Sequence, residues 1–340
     1  MISGWYYTGS MNSPQYLPQI ALLPNGNVLA FGGGNPYEPT SQNTAEIYDP
    51  STGLWSYTSS MHTERAGHAF AILTNQKVLV VGGRNSGGHL NSAELYDPSK
   101  GRWILTGRLA NARKLHSATK LANGKILVAG GSTANYYLTS AELFDPVVER
   151  WTPTGSMSTG RHMHTATLLP DGKVLVTGGY NNWNAVSSSE VYDPKTGLWT
   201  MTGSMSTART WHRAILLPNG LVLVVGGSNS VYLTSCELYN TSTGVWTNTG
   251  SLLTKRDNFV LLLQTNGSVL AIGGYNSDDG ALQSVESYDI SRKTWSSAPS
   301  INEPRAAAAP ICRLLNGQFL LAGGLTVRVF DASGATEVYG

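Results

Sequence analysis

The 340-residue chain is 41% hydrophobic and only 13% charged, with 23 basic residues against 21 acidic ones. Disordered chains carry more charge and fewer aromatics, so a folded protein is expected. A net charge of +2 without a basic run argues against a nucleic-acid partner. Apolar runs such as 259–263 fall far short of the roughly 20 residues of a membrane helix, so no membrane partner is expected either.

Residues 1–12 open the chain with a short strand-like stretch carrying Trp5. From residue 13 a fixed order of features begins. In 13–61 an apolar run ends at Asn25-Gly26, a second ends at Gly32-Gly33, a third carries Glu46 and Tyr48, and a fourth carries Trp55. An Asn-Gly pair between apolar runs is the strongest short signal of a hairpin. The order returns in 62–109 with Gly82-Gly83, Glu94 and Trp103, where Asn75-Gln76 is the one departure from the turn sequence. It returns in 110–157 with Gly130-Gly131, Glu142 and Trp151, and in 158–205 with Gly178-Gly179, Glu190 and Trp199. In 206–252 the expected strands are 211–217, 221–225 and 235–239, followed by a strand carrying Trp246. In 253–300 the marks are Gly273-Gly274, Glu286 and Trp295; in 301–340 they are Gly323-Gly324 and Glu337, with no Trp after them.

The spacing therefore predicts an all-β, seven-bladed β-propeller with four antiparallel strands per blade, forming one domain over 1–340. Because the last unit lacks its Trp strand and Trp5 lacks a preceding double Gly, the N-terminal strand is expected to close the last blade. Such a ring needs no partner to complete it, so a monomer is expected.

The double Gly, the aromatic some fifteen residues on and the Trp about seven beyond it resemble the kelch repeat in all seven units. That resemblance implies a propeller and little about activity, since kelch propellers include protein-binding adaptors, actin-binding proteins and a minority of enzymes such as galactose oxidase.

Two features recur with the blades. Arg65, Arg113, Arg161, Arg209, Arg256 and Arg305 form a ring with Gln15 in the seventh place. An anion-binding crown is one reading; pairing with the seven matching glutamates is the other, and presence in nearly every blade favours this structural one. His68, His116, His164 and His212 follow four of the arginines by three residues. Imidazole is a common metal ligand, yet ring-symmetric placement favours a framework role, and no metal is expected. The copper centre implied by a galactose-oxidase resemblance needs Tyr and His ligands and a Cys cross-linked to Tyr. Neither Cys236 nor Cys312 comes with that set, so no cofactor is expected.

Features that differ between blades carry the functional expectation. The loops between second and third strands hold Tyr37, Arg84, Tyr136, Tyr137, Trp183, Tyr232 and Tyr275. The residues just after the ring arginines include His162, Trp211, Asp257 and Asn258, with Lys114 at the corresponding place. Aromatics on solvent-facing loops suggest a ligand surface at the propeller mouth. A non-catalytic scaffold for a protein or peptide partner is the first reading. A carbohydrate or other small molecule in the central funnel is the second, and an enzyme using His162, Asp257 or Glu64 is a distant third.

Overall fold

A computed structural model describes residues 4–35, 40–306, 310–325 and 332–340. Seven four-stranded antiparallel sheets stand in a ring, and no helix occurs among the described residues. In the fifth blade, for example, the strands from axis to rim are Arg213–Leu216, Leu221–Val225, Cys236–Asn240 and Trp246–Thr249. Second strands read as continuous apolar runs because blades cover both their faces; Val78–Val81 and Val174–Thr177 are buried throughout. On the outer side the third-strand aromatic stacks on the fourth-strand Trp in every blade, with centroids between 4.9 and 5.2 Å apart. Blades are also tied pairwise: Thr154 and Thr202 hydrogen-bond the hydroxyls of Tyr192 and Tyr239 in the following blade, each at 2.8 Å.

The last sheet joins Ile311–Arg313, Phe319–Ala322 and Thr336–Tyr339 to Trp5–Tyr7. Trp5 lies opposite Tyr339, so the N-terminal strand closes the ring in the register the repeat spacing requires.

Two local features bear on the site. The strand expected over 211–217 spans Arg213–Leu216, because Trp211 adopts a left-handed backbone (φ 53°) that ends strand geometry before it. Three of the loops between second and third strands fold into two-stranded hairpins: Arg84–Asn85 with Gly88–His89, Tyr180–Asn181 with Asn184–Ala185, and Tyr275–Asn276 with Gly280–Ala281.

Candidate site at the propeller mouth

The loops between blades and the loops between second and third strands share one face. There each ring arginine turns inward and is fully or almost fully buried. Arg209 Nη1 donates to the carbonyls of Gly226 (2.7 Å) and Ser235 (2.9 Å), while Nη2 donates to Ser235 Oγ (3.1 Å) and Glu237 Oε1 (3.0 Å). Arg65, Arg113, Arg161 and Arg256 repeat the same four bonds. Arg305 keeps the carbonyl of Gly323 and Glu337, the latter at 3.4 Å. The glutamate also accepts backbone N–H groups from the loop that enters the blade, as Glu237 does from Ser206 (2.7 Å) and Thr207 (3.2 Å). In the first blade Gln15 donates to Thr44 Oγ1, and Glu46 accepts from Asn12 and Ser13.

The four histidines pack against the first glycine of the preceding blade's pair. A β-carbon on Gly82, Gly130 or Gly178 would meet the imidazole Cε1 of His116, His164 or His212 at 2.5–2.8 Å. His164 Nε2 pairs with Ser117 Oγ and His212 Nε2 with Thr165 Oγ1, both at 3.0 Å. Burial, then the charge of the neighbouring arginine, holds His68 and His164 down to about 3. Among the described residues no group of three or more His, Cys, Asp or Glu is arranged to hold a metal ion. Cys236 is buried in an apolar cluster with its thiol directed at the Thr234 carbonyl, and burial pushes it up to about 11.

What the mouth displays is set by the residue after each arginine, which pairs with the residue after each double Gly: Ala66 with Arg84, Lys114 with Ser132, His162 with Tyr180, Thr210 with Ser228, Asp257 with Tyr275. The following residue takes a left-handed backbone in Leu17, Gly67, Leu115, Met163, Trp211 and Asn258 (φ between 49° and 62°). Backbone bonds chain these turns together, as from Leu115 N to Gly67 O (2.8 Å) and from Met163 N to Leu115 O (3.0 Å). This inner collar rims a channel cavity of about 360 Å³ whose wall includes Met163, Trp211, Asn258 and Arg213. Arg213 Nε donates to the Phe259 carbonyl at 2.8 Å, and Asn258 Oδ1 is buried without a partner among the described residues.

Outside the collar lies a hollow of about 520 Å³ between the third and fourth blades, lined by Lys114, Ser132, Tyr136, Tyr137, His162 and Trp183. His162 is almost fully buried, bonded through Nδ1 to Ser132 Oγ (2.9 Å) and set edge-on to Tyr137 (5.0 Å). Burial, then the charge of Lys114, lowers His162 to about 4; burial, then Arg84, lowers Lys114 to about 8. Between the fifth and sixth blades, Ser228 Oγ donates to Asp257 Oδ2 (2.9 Å) beside the Tyr232–Tyr275 ring pair. Burial raises Asp257 to about 6, against the Ser228 bond and the Arg213 charge.

Six stretches of the chain match the Kelch motif model: 21–62, 65–106, 121–158, 161–206, 212–253 and 262–302. The chain belongs to the Kelch motif family. Among solved structures, this kelch propeller is similar to a fungal alcohol oxidase of the AA5 family in complex with copper, at 16% identity and a TM-score of 0.83 over 100% of this chain and 76% of that one. It is also similar to YjhT, at 16% identity and a TM-score of 0.65 over 85% of this chain and 99% of that one. At these identities the likeness is one of fold. Comparison with curated proteins finds none that matches.

Of the residues singled out from sequence, Tyr136, Tyr137, His162 and Trp183 meet at the hollow, whereas Trp211 and Asn258 line the channel instead. Tyr232, Asp257 and Tyr275 form a separate cluster, and Arg84 sits in its own hairpin across from Ala66. Tyr37 lies outside the described residues. Sequence reasoning placed Tyr180 in a mouth loop without singling it out as a site residue, and it passed over Ser132, Ser228 and Arg213. The first three follow a double Gly directly, and that fixed position was the available signal. Arg213 stands where the other described blades have Gln19, Ala69, Ser117, Thr165 and Val260, so its charge alone set it apart.

Proposed function

We propose that this kelch propeller is a recognition module that grips a protein or peptide partner across its loop-rich mouth. Trp183 carries the reading. It forms, with Asn182, the two-residue tip of a hairpin in which both residues have positive φ (45° and 67°), and its side chain is 84% exposed. Such a turn favours Asn-Gly, and an indole there strains the backbone while burying almost nothing. Folding gains nothing from it, so the ring is available as an anchor above the hollow, flanked by the 71%-exposed Tyr136. The test is to select peptides on the parent protein from a displayed random library and measure them against Trp183→Gly. The variant should melt at the same temperature or higher and bind about tenfold or more weakly. Equal binding by both proteins would reject the reading.

A small-molecule ligand in the channel is the second reading, supported by Asn258 Oδ1 and the Arg213 guanidinium beside one cavity. A glycan array with a thermal-shift screen tests it, and Trp211→Ala should remove any hit.

A further inference from the structure

The mouth contains the same four-residue arrangement twice, two blades apart. In the first copy Ser132 bonds His162, His162 exchanges backbone bonds with Tyr180 (3.3 and 2.9 Å), and the Tyr137 and Tyr180 rings stand 6.2 Å apart at 66°. In the second, Ser228 bonds Asp257, Asp257 exchanges backbone bonds with Tyr275 (both 3.0 Å), and the Tyr232 and Tyr275 rings stand 5.8 Å apart at 61°. Ser132 bridges Tyr137 as Ser228 bridges Tyr232. One position differs in kind: an imidazole in the first copy, a carboxylate in the second.

That exchange changes what the arrangement can hold. The His162 ring lies 5.0 Å from Tyr137 and 5.8 Å from Tyr180, making a three-ring cluster with them. A carboxylate is shorter than an imidazole and adds no third ring to the Tyr232–Tyr275 pair, and Tyr275 is exposed. Asp257 keeps Oδ1 without a hydrogen-bond partner among the described residues, and no described cation is within ion-pair distance. Arg256 is paired with Glu286 at 2.7 Å and Lys255 with Asp278 at 2.7 Å, while Arg213, whose charge reaches Asp257 without an ion-pair contact, donates Nε to the Phe259 carbonyl. A partly buried carboxylate beside two angled tyrosine faces suits a cation that can use both the charge and the ring quadrupoles.

We infer that Asp257, Tyr232, Tyr275 and Ser228 form a subsite for an organic cation, the ammonium or guanidinium group of a partner's Lys or Arg side chain. His162 with Tyr137, Tyr180 and Ser132 is its closed, uncharged counterpart. The inference deepens the partner-binding reading of the mouth and rests on it for the source of the cation.

The test uses free ions, so it does not depend on any peptide. Ethylguanidinium and tetramethylammonium are titrated into protein with ¹³C-labelled tyrosine rings, with methanesulfonate as the anionic control; signals are assigned with Tyr232→Phe and Tyr275→Phe. Both cations should give saturable shifts at those two rings with a Kd in the millimolar range, and Asp257→Asn should weaken binding about tenfold or more. Asp257→His should abolish it too, and His162→Asp should create a second site reported by Tyr137 and Tyr180. No saturable shift in the parent, equal shifts with methanesulfonate, or unchanged binding in both folded Asp257 variants overturns the subsite. Cation binding without any peptide capture would leave the subsite standing and reject the partner reading. Peptide capture that Asp257→Asn does not alter would do the reverse.

Discussion

The imidazole of His212 occupies the volume that a β-carbon on Gly178, in the preceding blade, would need: an added Cβ would stand 2.5 Å from His212 Cε1 and 2.7 Å from the Arg209 carbonyl oxygen. Gly178 also has φ +64°. The double Gly and the His of adjacent repeats are thus one packing feature seen from two sides. Gly178→Ala should cost about 2–4 kcal/mol, read as a lower urea midpoint. Adding His212→Ala should recover only part of the loss, since the Arg209 carbonyl is backbone and cannot move aside cheaply.

The hydroxyls facing these imidazoles make a second prediction. Ser117 serves His164 and Thr165 serves His212, but the matching residue for His116 is Ala69, and neither His116 ring nitrogen has a partner among the described residues. Ala69→Ser should supply one and raise stability by about 0.5–1.5 kcal/mol by denaturant unfolding. A loss of stability would show that the site has no room for the hydroxyl.

Arginine truncation should be unequal round the ring. Arg209→Ala leaves Glu237 and two carbonyls buried without their donor and should cost about 3–5 kcal/mol. Arg305→Ala should cost distinctly less, because Ala335 stands where Ser235 does in the fifth blade and the Glu337 contact is the long one, 3.4 Å. Equal midpoints for the two variants would contradict the importance of the shared Ser.

Asp257 should make a pH signature. Its raised value means that between about 4 and about 6 the folded protein binds more protons than the unfolded chain. Its stabilising contribution therefore belongs to low pH and is lost as pH climbs through that window, by up to about 3 kcal/mol. The buried, neutral histidines act oppositely: their lowered values give stability above 6.5 that is lost as pH falls. The two effects separate by difference. Asp257→Asn should gain little over the parent at pH 4 and most above pH 6.5, as measured by urea midpoints across the range. A gap that does not change with pH would contradict the desolvation of this carboxylate.

Closure of the ring gives the last prediction. Residues 5–7 supply the outer strand of the seventh sheet, with Trp5 stacked on Tyr339 at 5.0 Å. Deleting residues 1–12 exposes the edge of Thr336–Tyr339 and should sharply lower the melting temperature in calorimetry.

Sequence alone determined the propeller, its seven units and the out-of-phase terminal strand, because each blade is a local structure that repeats its own turn, glycine pair and Trp. It also marked which loop residues vary. Tertiary structure decided how those residues group. Trp211 and Trp183 look alike as blade-specific indoles, yet a left-handed turn puts one on the channel wall while a hairpin tip leaves the other in solvent. Asp257 and His162 likewise share a repeat position. Only packing between blades, which joins the loop of one repeat to the loop of the next, gives each its serine and one of its two tyrosines. Residues that meet across the blades there are 25 to 43 positions apart, and no local signal specifies such pairs.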